Sequence, residues 1–182
     1  MLTTISAFEG FAEDYLATVL AIQGQGFAQI AKVVGNWNNP TLRDWAAQMR
    51  KLIPPQACAV LDAGPTTKIV VDRENANGNW SAGQRDWSDV LTDSEAWMQV
   101  RHVLTHGLAT GWRAEPWPPP LRKDAPPASS VLRPKPPNKW SLERPGARSC
   151  ARIYSLGAKH VAETVATDFG VNLDWSTVPS FN

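Results

Sequence analysis

The chain has 182 residues, 43% of them hydrophobic, and a formal net charge of +1, which suits one domain with a sizeable core and excludes a global field that would by itself argue for nucleic acid. No apolar run approaches the roughly 20 residues needed to span a bilayer, and Glu9, Glu13 and Asp14 near the start do not fit the basic, acid-poor character of a signal or transit peptide. Cys58 and Cys150 are the only cysteines and share no motif, so the expectation is a cytoplasmic protein with two reduced thiols and no membrane segment.

In chain order, Ile5, Phe8, Ala12, Tyr15, Val19 and Ile22 recur at three-to-four spacing and predict a helix over 4–22. A second piece over 27–34 follows Gly24 and Gly26. Asn39-Pro40 reads as a helix start, asparagine at the cap and proline at the first helical position. Leu42, Trp45, Met49 and Leu52 give that helix its stripe, and Pro54-Pro55 ends it. Residues 57–63 predict a short helix stopped by Gly64-Pro65, and 68–71 a strand or a helical turn. Residues 75–79 read as loop. A short helix is expected over 82–91. Thr92-Asp93-Ser94-Glu95 then fits a capping box opening a central helix over 93–109, with Trp97, Val100, Leu104 and Leu108 as its stripe. Ten of the fifteen prolines lie between Pro116 and Pro145, so 113–145 is read as a long proline-rich, basic loop. A last helix is expected over 147–169 and an irregular tail over 170–182. Together these elements predict an all-α fold, a single domain over 1–182 built as a bundle of four to five main helices.

The central helix carries the chemistry. Arg101, His102 and His106 fall within about one and a half turns. Arginine is a permanently charged fork for phosphate, and histidine gives or takes a proton near neutral pH. Arg101 and His106 are rotated by about 140° on an ideal helix, whereas His102 and His106, four apart, share a face, turned away from the Trp97/Leu104/Leu108 stripe. His-x-x-x-His is also a zinc spacing, but Val103 stands where a zincin needs glutamate. No neighbouring Cys/His cluster supplies a third ligand, so no metal and no cofactor are expected. A competing reading has Arg101 pairing with an acid of a neighbouring helix and the histidines as ordinary surface groups.

Arg101-His102-x-x-x-His106, late in an amphipathic helix of an all-α chain, resembles the signature of the HEPN superfamily: arginine, a polar residue, and a histidine several positions on. The direct similarity covers about residues 93–112, and helix order carries the rest. The resemblance implies a metal-independent endoribonuclease that works as a homodimer, as in toxin–antitoxin or phage-defence systems. Arg101 would hold the scissile phosphate, His106 would act as general acid or base, and His102 would orient one of them. The products would be a 2′,3′-cyclic phosphate and a 5′-hydroxyl. The family also holds inactive members, so the alternative is a non-catalytic helical module binding RNA, a nucleotide or a protein partner such as a nucleotidyltransferase antitoxin.

Charge is uneven along the chain. Residues 113–152 contain nine basic residues against Glu115, Asp124 and Glu143. Trp112, Trp117 and Trp140 are interleaved with them, and cations with aromatic faces are what single-stranded RNA binding uses. Trp112, Arg113, Trp117, Arg122, Lys123, Arg148 and Arg152 are therefore candidate RNA contacts; the competing reading is a solvated loop whose tryptophans pack on the bundle. Trp37, Trp45, Trp80, Trp87 and Trp97 read as core, His160 as a boundary histidine, and Gly24-Gln25-Gly26 lacks the rest of a phosphate loop.

Overall fold

The structure, a computed structural model, describes residues 1–37, 39–71, 81–106, 124–135 and 139–178. Among them are six α-helices: α1 (Leu2–Ile22), α2 (Phe27–Gly35), α3 (Leu42–Arg50), α4 (Pro55–Ala63), α5 (Trp87–Thr105) and α6 (Arg144–Asp168). Two short antiparallel ribbons accompany them, β1 (Thr67–Val71) with β2 (Ser81–Arg85), and β3 (Arg133–Lys135) with β4 (Lys139–Ser141). The fold is thus mainly α, a helical bundle, as its periodicity predicts. No helix among the described residues is long and apolar enough to cross a membrane.

The bundle is organised around α6, which packs on α1, α3, α4, α5 and β1. Its buried residues Cys150, Ile153, Tyr154, Gly157, Val161 and Val165 recur at helical spacing, so one face meets several partners. Gly157 is required where α3 crosses, because a Cβ there would overlap the Leu42 side chain. Across the core, Phe8 meets Trp45 edge-on at 5.8 Å between ring centres and Tyr154 at 5.0 Å. Such pairs contribute about 0.5–1.5 kcal/mol beyond their burial. Two phenols lock the layers: Tyr15 donates to the Ala162 carbonyl and Tyr154 to the Ser94 carbonyl, each at 2.8 Å.

Several boundaries differ from the sequence expectation, each for a local reason. α3 is capped by Thr41, not Asn39. The Thr41 hydroxyl accepts from the Asp44 backbone N–H, and the Asp44 carboxylate accepts from that of Thr41, both at 3.1 Å. Asn39 instead turns the chain with a φ of 50°, which asparagine tolerates better than most residues. Pro55 opens α4 at its first turn, where a missing N–H costs nothing. Gly64, at a φ of 54°, closes α4 against Trp87, with no room for a Cβ.

The expected helix over 82–91 is divided. Residues 81–85 pair with β1, Ser81 opposite Val71 and Arg85 opposite Thr67, and Asp86 then caps α5 through a reciprocal box with Asp89. The capping box expected at Thr92 is absent, because α5 is already under way: the Thr92 hydroxyl donates to the Ser88 carbonyl one turn back. The core stripe of α5 runs through Val90, Trp97, Val100 and Val103, while Leu104 is 39% exposed. Leu108 lies outside the described residues.

The proline-rich segment is docked where it is described. Ala128 and Leu132, in and after a 3-10 turn over Ala128–Val131, are buried in the core cluster, and the turn packs against α5. Trp140 is half-buried against the same core.

Candidate functional site at the end of the fifth helix

The last turn of α5 divides its polar residues between two surroundings. Arg101 turns towards α1 and the connection before α3. Its Nη1 donates to Glu9 Oε1 at 2.7 Å and to Asn39 Oδ1 at 3.2 Å, and lies 3.6 Å from Met98 Sδ. The pair is mostly buried, with 21% of the arginine side chain and 12% of the glutamate side chain exposed. All three contacts use one guanidinium nitrogen. Among the described residues, Nε and Nη2 have no partner, so part of the fork remains open.

His102 is half-buried and His106 exposed. Their ring centres lie 4.5 Å apart with the planes tilted by 50°. His106 occupies the C-cap, its backbone N–H donating to the His102 carbonyl at 3.1 Å. The Thr105 hydroxyl donates back to the Arg101 and His102 carbonyls at 2.9 and 3.1 Å, which satisfies orphan carbonyls of the last turn. Neither imidazole is hydrogen-bonded among the described residues.

The electrostatics follow from this division. Burial pushes the Glu9 carboxyl above its ordinary value; Arg101 opposes that shift and Glu13 adds to it. Burial lowers the His102 pKa, and the neighbouring His106 and Arg101 lower it further, so its neutral form prevails at neutral pH.

The two basic candidates on α6 are placed differently. Arg148 is exposed; Arg152, one turn later, donates from Nη1 to the Lys68 carbonyl of β1 at 2.7 Å. Trp112, Arg113, Trp117, Arg122 and Lys123 lie outside the described residues.

The partners of Arg101 were not identified from sequence. Glu9 is 92 positions away, and only the way α1 lies along α5 brings it there. Glu9 is the acid on a neighbouring helix that the competing reading of Arg101 calls for.

Other polar groups are committed to the fold. His160 Nε2 lies 3.0 Å from the Leu61 carbonyl, with its ring 5.0 Å from that of Trp87, which makes it the boundary histidine expected. Burial pushes the Cys150 thiol up to about 12, so it is inert at neutral pH. A groove of about 430 Å³ between α1 and α6 is lined by Phe8, Phe11, Tyr154 and Trp175 among others. Among the described residues, its lining holds no carboxylate, imidazole or cation. No group of three or more His, Cys, Asp or Glu among the described residues is arranged to hold a metal ion. The chain matches no protein-family model, no curated protein and no solved structure.

Proposed function

We propose that this chain is a metal-independent endoribonuclease of HEPN type, working as a cytoplasmic homodimer in a toxin–antitoxin or phage-defence setting. The observation that carries the reading is the last turn of α5. There an arginine with two guanidinium nitrogens unused among the described residues adjoins a pair of accessible imidazoles. Arg101 takes the scissile phosphate through Nε and Nη2 while Glu9 keeps Nη1, and it stabilises the charge that develops on the phosphoryl oxygens. His106 removes the 2′-hydroxyl proton, the 2′-oxygen attacks phosphorus, and the bond to the 5′-oxygen breaks as that oxygen receives a proton. His102 orients the substrate or its neighbour. In a homodimer the two copies of His106 divide the base and acid roles, and the exposed Leu104 supplies apolar surface for their contact. Arg148, Arg152 and the basic, tryptophan-containing segment before α6 contribute RNA contacts.

One observation favours a second reading. Arg101 is held by Glu9 and Asn39 from two other parts of the chain, as expected of a structural tie. On that reading the chain is a non-catalytic module that binds RNA, a nucleotide or an antitoxin partner.

Cleavage of end-labelled RNA by the purified chain in excess EDTA, beside His106→Ala, separates the two. Cleavage that leaves cyclic phosphate ends and disappears in the variant is expected. A folded protein that cleaves none of several RNAs supports the binding module instead.

A further inference from the structure

We propose that His102 and His106 together form a chelating site for a divalent transition-metal ion, copper(II) binding most tightly and zinc(II) more weakly. The argument starts from spacing. Residues four apart on a helix face the same side, and here the spacing has brought the rings to 4.5 Å between centres. With metal–nitrogen bonds of about 2.0–2.1 Å, two imidazoles meeting one cation at about a right angle put their ring centres about 4.5 Å apart. The observed distance between ring centres equals that of such a chelate, so the site closes by turning one nitrogen of each ring toward a shared ion.

Three further features fit a cation. Neither imidazole has a hydrogen-bond partner among the described residues, so no bond within that part of the chain must be broken for the ring nitrogens to bind. The pair sits on the last turn of α5, with His106 at its C-cap, and the carbonyl end of a helix carries partial negative charge that favours cations. Among the described residues, Arg101, whose charge is felt at His102, is paired with Glu9 at 2.7 Å, which offsets part of its repulsion of a cation. Imidazole is a ligand for copper, nickel and zinc rather than magnesium or calcium, and affinity peaks at copper(II). Two protein ligands leave the remaining coordination positions to water. The site differs from a zincin centre, which the glutamate-free Val103 position already argues against.

Occupancy has a consequence for the same residues. A metal-bound ring nitrogen has no lone pair left to accept a proton, so a bound ion silences His106 as a base. That consequence alone rests on the ribonuclease reading; the chelate does not.

The test uses the full chain carrying Cys58→Ser, which removes the half-buried thiol as a competing soft ligand. Copper(II) chloride is titrated in, and binding is followed by calorimetry and by electron paramagnetic resonance. One ion per chain is expected, with nitrogen hyperfine structure from two imidazoles. His102→Ala and His106→Ala should each weaken binding about tenfold or more, because each removes one of two bonds to the ion. His160→Gln should leave it unchanged. Binding that survives either alanine variant, or no binding by the folded chain, overturns the proposal. RNA cleavage is scored separately in EDTA, so an inactive chain that still binds one copper ion refutes the ribonuclease and leaves the chelate standing.

Discussion

Arg101 and His102 are neighbours in sequence and opposites in setting. One helical step, about 100°, moves a side chain from a mostly buried tie with Glu9 and Asn39 to a half-buried position where, among the described residues, its ring meets that of His106. The arginine binds α5 to α1 and to the approach to α3. The histidines hold nothing in place among the described residues. A residue whose removal leaves the fold intact is free to serve chemistry, while one that ties three segments together must serve the fold first. On the proposed function, the Nε and Nη2 that have no partner among the described residues are what Arg101 offers to phosphate.

The comparison can be broken in stages. The largest effect expected is on cleavage: His106→Ala should lower it by about 10²–10⁴-fold, the usual contribution of a positioned acid or base. Undiminished cleavage would place the chemistry elsewhere. Next, Arg101→Ala should cost about 1–3 kcal/mol of stability in urea unfolding, since it strands the Glu9 carboxylate. An unchanged midpoint would show that the tie to α1 is dispensable. A smaller effect concerns pH. Because burial outweighs Arg101 at Glu9, the folded chain holds that proton to a higher pH than the unfolded chain. The stability this confers is complete below the ordinary value of 4.5 and is lost as pH rises through the folded value. The stability of the parent relative to Glu9→Gln should therefore fall as pH rises past 4.5; a difference that grows instead would mean Arg101 dominates. Least of all, His102→Ala should change stability by no more than about 0.5 kcal/mol, as for other surface substitutions, and thermal unfolding would reveal a larger loss.

What sequence made legible was what repeats locally. The stripes of α1, α3 and α6 are visible because Phe8, Trp45 and Ile153 recur with their neighbours at helical spacing. Where non-local pairing decides, the reading fails. Residues 81–85 carry alanine, glutamine and arginine, which suit a helix, yet their register against β1 makes them a strand. Asn39-Pro40 is a fair start signal, but Thr41 with Asp44 three residues later makes the reciprocal bonds. Leu104 fits the helical stripe and is exposed all the same, because Val103 faces the core. At the candidate site, His102 and His106 could be paired from their spacing alone. Glu9 and Asn39 could not, since nothing local links them to Arg101.

The most direct test of the end of α5 as the functional site uses the fact that the chain has only three histidines. Their imidazole proton signals can be followed by NMR as a 2′-O-methylated single-stranded RNA, which cannot be cleaved at the 2′-oxygen, is added. The account predicts that the signals of His102 and His106 shift while that of His160, held between the Leu61 carbonyl and Trp87, stays. Signals of His102 and His106 that do not move at saturating RNA, or movement confined to His160, would contradict it.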